Sequence, residues 1–131
     1  MGPLASGVLT GKFNQPMTPG VPTRMSADSV SDHDRAVAQV VVDVAGELGM
    51  SASQVAIAWT RARSRAVHPI IGASRVEQLD DNLGAAAVVL PPDAITRLEA
   101  ATGFTVGFPT DFISDTEPWV LGETRTRVDG R

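Results

Sequence analysis

Residues 67–86, VHPIIGASRVEQLDDNLGAA, constrain the fold more than any other stretch, because a β-branched run passes through one glycine into a serine-capped helical pattern. A short buried strand over 67–71 that feeds straight into a helix demands parallel neighbours in a sheet. It also points the helix's free N–H groups and positive dipole end at whatever lies above the strand, and a phosphate is the usual occupant.

The rest of the pattern supplies helices for such a sheet. Helical periodicity begins near Asp32 and runs through Val37, Val40, Val41, Val44 and Leu48, with Gly49 as the stop. Ser51 with Gln54 matches a capping box, and Val55, Ala58, Trp59 and Ala62 continue one face, which predicts a second helix over about 52–63. Ser74 with Glu77 forms a second such box, opening a helix through Leu79, Leu83 and Ala86. A last short helix is expected over 93–102, after Pro91 and Pro92 and before Gly103, with Ile95 and Leu98 inward. Beyond about residue 115 no periodicity is sustained.

Residues 1–12 suit a strand end running into a tight loop, and 14–31, with three prolines, read as a long surface loop that can serve as a lid. The order strand, loop, helix pair, strand, helix, helix implies α/β architecture with helical crossovers between parallel strands. Two such strands are not stable without neighbours on both edges, so the sequence reads as part of a larger sheet or barrel.

Composition narrows the function classes. A formal charge of -4 and a pI near 5.0 argue against a dedicated nucleic-acid binder. Without cysteine there is neither a disulfide framework nor a thiolate metal site. No apolar run approaches the ~20 residues of a membrane span. The start MGPLASG lacks the features of a signal peptide, and a single cytoplasmic domain is the expectation.

Three segments together carry a family likeness. PLASGVLTGKF at 3–13, SASQVAIAW at 51–59 and PIIGASRVEQLDDN at 69–82 resemble the C-terminal portion of the aldo-keto reductases, NADP-dependent (β/α)8 barrel enzymes. The resemblance is greatest to the branch with the voltage-gated potassium channel β subunits and bacterial general-stress reductases, and it covers about residues 3–113. It implies that 1–13 are the exit of barrel strand seven and its loop, 14–31 a loop, 32–63 a helix pair, 67–86 strand eight with its helix, and 87–131 the last helix and tail. A complete barrel needs about 250 residues. The expected fold class is therefore α/β, the last quarter of a TIM barrel rather than a whole one, from a truncated or split reading frame or a mis-called start.

The resemblance also assigns residues to the cofactor NADP. Pro3, Leu4, Ala5 and Gly7 would let the backbone approach the pyrophosphate, Lys12 would add a cation, and Arg24 would close over the cofactor from the long loop. Gly72 and Ser74 would approach the adenosine 2′-phosphate with Arg75 as charge partner, while Gln78, Asp81 and Asn82 would contact the adenine and its ribose. Each has a plainer reading: Ser74 as a helix cap, Lys12 as a solubilising lysine, and the helix residues as a solvated face.

No catalytic residue is expected. Family members reduce a carbonyl with a tyrosine acid supported by aspartate, lysine and histidine on earlier strands, and this chain contains no tyrosine. His33 and His68 match no family catalytic position. Phe104, Phe108 and Phe112 suit either a substrate pocket or the barrel's lower edge. The chain is expected to lack activity alone and to bind NADP weakly. Its expected partners are a missing N-terminal barrel segment or a second copy, with no nucleic acid and no membrane. A helix-turn-helix built from 32–63, with Arg61, Arg63, Arg65 and Arg75 meeting phosphates, is the remaining alternative.

Overall fold

Two helices with strong local start signals form the centre of the molecule. The computed structural model describes residues 2–16, 23, 25–64, 66–105 and 107–127. Helix α1, Asp32–Leu48, begins where the Ser31 hydroxyl accepts the Asp34 N–H at 3.0 Å, carries Asp32 and Asp34 in its first turn, and ends at Gly49 in left-handed backbone. Helix α2, Ala52–Arg61, starts with both halves of a capping box, the Ser51 hydroxyl accepting the Gln54 N–H and the Gln54 side chain accepting the Ser51 N–H. The two helices meet at 101°.

Helix α4, Pro92–Thr102, closes the core against them. Proline at its first position needs no amide partner there, and Gly103 ends it in left-handed backbone. Val41, Val44, Val55 and Leu98 are fully buried between the helices, with Ala45, Ala56, Ala58 and Ala94 allowing close approach. Burying each large aliphatic contributes about 1.5–3 kcal/mol. Arg97 makes a two-pronged contact with Glu47 of α1, its longer arm 2.9 Å, and Glu99 receives two bonds from Arg63, just past α2.

A second apolar cluster, Val8, Phe13, Val30 and Ala38, fastens the N-terminal segment to α1. That segment consists of 3-10 turns at Ala5–Thr10 and Lys12–Asn14, with Ala5, Ser6 and Gly7 in succession at φ 47°, 59° and 92°. Gly11 has φ 75°, and a Cβ there would lie 2.4 Å from Val42 Cγ2 of α1. The Arg35 guanidinium ties both ends of the following loop to α1, donating to the Phe13 carbonyl and, at 2.7 Å, to the Ala27 carbonyl.

Several expectations are corrected here. Neither 2–13 nor 67–71 forms a strand, and the described residues contain no strand at all. A strand exists through its ladder of hydrogen bonds to neighbours, and no described segment pairs with 67–71. The backbone is left without regular structure, and Ile70 is 90% exposed instead of buried. Helix α3, Val76–Gly84, starts later than the Ser74–Glu77 box implies, with Arg75 at its cap position and no side-chain cap bond. Leu79 and Leu83 face solvent rather than a core, and the buried residue of α3 is Asn82. Its apolar stripe, Val76, Leu79 and Leu83, is left largely uncovered by the described residues. Helix α4 is not the last: α5, Thr110–Leu121, follows it, with Phe112, Ile113, Trp119 and Val120 exposed. No single helix among the described residues is long and apolar enough to cross a membrane.

Candidate functional site

A cleft of about 340 Å³ opens between the N-terminal turns, residues 70–74 and α3, with Ser53 of α2 also on its wall. Three kinds of chemistry meet there: a cation, paired hydrogen-bond donors and a carboxylate.

The cation is Lys12, the chain's only lysine. The left-handed turn at Gly7 leaves room for it, since a Cβ on Gly7 would lie 2.7 Å from Lys12 Nζ and 2.9 Å from its Cε. The ammonium also lies 4.8 Å from the centre of the Phe13 ring, an attraction that holds the side chain back against the N-terminal turns.

The paired donors belong to Ser74. Its backbone N–H and its hydroxyl both donate to Gln78 Oε1, at 3.2 and 3.1 Å, so two donors converge on one oxygen just ahead of α3. The expected capping box does not form: α3 begins only at Val76 with Arg75 at its cap position, and the Ser74 hydroxyl donates to the Gln78 side chain.

The carboxylate is Asp81, half-buried and a turn further along α3. Its Oδ2 accepts the Ser51 hydroxyl at 2.8 Å and its backbone carbonyl accepts Gln54 Nε2 at 3.1 Å, which joins the cleft wall to the capping box of α2. Asn82 beside it is buried.

Pro3, Leu4, Gly7, Lys12, Gly72, Ser74, Gln78, Asp81 and Asn82 all line this one cleft. Ala5 does not, since it packs against the Val8 and Phe13 cluster. Arg75 does not line it either; it stands exposed at the cap of α3. Arg24 lies outside the described residues. Ser6, Thr10, Ser53, Ile70 and Ile71 line the cleft and escaped sequence reasoning. Ser53 carried the one usable signal, a hydroxyl two residues past a helix cap.

Elsewhere the candidates disperse. His33 and His68 are exposed, and no group of three His, Cys, Asp or Glu among the described residues could hold a metal ion. The basic cluster is engaged internally: Arg61 donates to the Ala85 and Ala86 carbonyls at 3.4 and 3.2 Å, and Arg63 is paired with Glu99. Arg65 lies outside the described residues. Hydrogen bonding to Glu99 holds the Arg63 guanidinium above its ordinary value, and the bond from Arg97 holds the Glu47 carboxyl below the usual carboxylate range.

Comparison with known sequences decides the family. The sequence model for the aldo/keto reductase family matches residues 1–102. This chain belongs to the aldo/keto reductase family. A probable aryl-alcohol dehydrogenase of Saccharomyces cerevisiae is 34% identical over 97 residues, 73% of this chain and 30% of that protein. Norsolorinic acid reductase B of Aspergillus parasiticus is 34% identical over 85 residues, 65% of this chain and 22% of its own length. A probable voltage-gated potassium channel β subunit of Arabidopsis thaliana is 33% identical over 107 residues, covering 74% of this chain and 32% of that subunit. Another yeast relative of the aryl-alcohol dehydrogenase group is matched over 64% of its length. The chain thus spans less than two thirds of each of these relatives. The family is one of oxidoreductases that generally use NADP(H) on a (β/α)8 barrel, and the helices and unpaired backbone seen here are consistent with part of such a barrel.

Proposed function

We propose that the cleft holds the adenosine and phosphate end of NADP(H), and that this is the chain's contribution to an aldo/keto reductase site. The observation that carries the reading is the convergence of the Ser74 N–H and hydroxyl on one oxygen, in the same cleft as Lys12 and Asp81. Gln78 Oε1 sits where an oxygen of an anion would accept the same two bonds. Lys12 adds the positive charge that a phosphate needs. Asp81 suits a different part of the ligand, because a carboxylate repels phosphate but accepts from a ribose hydroxyl or an amino group. The donor set therefore fits a molecule with an anionic end and a hydroxylated end.

When bound, the nicotinamide of this cofactor supplies a hydride to the carbonyl of an aldehyde or ketone. This chain has no tyrosine to donate the accompanying proton, so its role is to bind and orient the nucleotide, and it is inactive by itself. Loops not braced by a complete barrel bind weakly, since part of the interaction energy goes into ordering them.

Titration of the ¹⁵N-labelled chain with NADP⁺ and NAD⁺ tests this. Amide shifts should concentrate at Gly7, Lys12, Ser74, Gln78 and Asp81, with weak affinity that favours NADP⁺. Shifts that map elsewhere, or a sub-micromolar affinity, would sink the reading. Sustained NADPH oxidation with a generic aldehyde would sink the claim of inactivity.

A second reading has its own support. Ile70, Val76 and Val89 are 90%, 69% and 88% exposed, which favours a chain that completes a barrel with a separate N-terminal segment or pairs with a second copy. Sedimentation velocity over a hundredfold concentration range would show the second copy, and a constant monomer mass removes it.

A further inference from the structure

We infer that Ser51 and Gln54, neither of which lines the cleft, are positioning residues that set the rotation of α3 and the aim of the Asp81 carboxylate towards a nucleotide; the ligand half of this inference rests on the cofactor reading above.

Helix α3 lacks the usual means of staying in place. Its aliphatic residues Val76, Leu79 and Leu83 are exposed, and its buried residue is the polar Asn82. A helix without a buried apolar stripe can rotate or translate cheaply unless polar contacts hold it. Here they do. The Ser51 hydroxyl reaches Asp81 Oδ2 and Gln54 Nε2 reaches the Asp81 carbonyl, so the side chain and backbone of one α3 residue are both gripped by the N-terminus of α2. Gly84 permits the grip, since a Cβ there would lie 2.5 Å from Gln54 Nε2. Arg61 then holds the carbonyls of Ala85 and Ala86 just beyond the helix.

The Ser51 hydroxyl performs two tasks at once. Its oxygen accepts the Gln54 N–H at 3.1 Å as the cap of α2, and its single proton goes to Asp81 Oδ2. Asp81 is thereby committed through one oxygen, while Oδ1 has no protein partner among the described residues and is left to accept from a ligand hydroxyl or amine. Capping and aiming can be separated by substitution. Ser51→Thr keeps both. Ser51→Asp keeps an oxygen that caps α2 but has no proton to give, and sets a second carboxylate against Asp81. Gln54→Glu keeps the capping box and removes the donor to the Asp81 carbonyl.

Amide hydrogen exchange of the unliganded chain reads the helix, and NADP⁺ titration followed by NMR reads the ligand. Exchange at residues 80–84 should accelerate at least tenfold in Ser51→Asp and in Gln54→Glu while that of α1 is unchanged, and Ser51→Thr should match the unsubstituted chain. NADP⁺ affinity should fall at least tenfold in Ser51→Asp and be preserved in Ser51→Thr. Unaltered exchange in α3 for both disruptive variants overturns the inference whatever the ligand does. Accelerated exchange with undiminished NADP⁺ affinity overturns the aiming of Asp81. Accelerated exchange in a chain that never responds to NADP⁺ supports the setting of α3 and overturns the cofactor reading instead.

Discussion

Replacing Gly11 with alanine should cost far more than the same change at Gly7, although both glycines have positive φ and both border the cleft's cation. At Gly11, φ is 75°, and forcing a side chain into that region costs about 1–2 kcal/mol. The added Cβ would also lie 2.4 Å from Val42 Cγ2. Val42 is β-branched and sits within α1, where one χ1 rotamer dominates, so its methyl cannot swing aside. Overpacking of that kind adds about 1–3 kcal/mol. The sum is a loss of about 2–5 kcal/mol.

At Gly7 the φ of 92° brings a similar backbone cost, but the obstruction is the far end of Lys12, which is exposed and can move away. There the loss should be about 1–2 kcal/mol. Urea unfolding followed by far-UV circular dichroism gives both values from midpoints and slopes. Adding Val42→Ala to Gly11→Ala should recover the overpacking part and leave the backbone part. Equal losses at the two glycines, or no recovery in the double variant, would refute the steric argument.

Two further outcomes are expected. Leu98→Ala empties the position where α4 meets α1 and α2 and should destabilise the chain by about 2–5 kcal/mol; a thermal-unfolding difference under 1 kcal/mol would show that the three helices do not share one core. Glu47 is held below the ordinary carboxylate range first by its hydrogen bond from Arg97, so its contribution to stability is present at neutral pH and disappears as pH falls through the folded-state value. Carboxyl titration by NMR should place Glu47 higher in Arg97→Gln or at molar salt, and an unchanged titration in both would mean that the contact does not persist in solution.

The elements legible in the sequence are those whose signals are local. The start near Asp32 and the stop at Gly49 bracket α1, and the Ser51–Gln54 box opens α2, because such signals act within a few residues. One wall of the cleft is legible through spacing, since Gln78, Asp81 and Asn82, three and four residues apart, share one side of a helix, whereas the N-terminal wall is reached only through the family resemblance. What failed depends on distant partners. The β-branched run at 67–71 has strand character but no neighbour to pair with in the described chain. Ser74 matches the capping pattern, yet α3 begins only at Val76, with Arg75 at its cap position, so no helix amide comes to the Ser74 hydroxyl. Helix α5 carries no readable signal, because Pro118 interrupts the pattern and its apolar residues Phe112, Ile113, Trp119 and Val120 are exposed, with no buried face to mark a periodicity.

The two ion pairs flanking α4 have opposite sense. On one side the helix offers the positive partner, Arg97 to Glu47, and on the other the negative partner, Glu99 to Arg63. Exposed pairs like these add little stability. The apolar face of α4 is small, with Ala94 and Leu98 buried and Ile95 half-buried beside them, so it says little by itself about which way the helix must lie. Inverted docking would set Arg97 against Arg63 and Glu99 against Glu47, two repulsions in place of two attractions. The two pairs therefore discriminate by sign against a reversed α4, even where each adds little to stability.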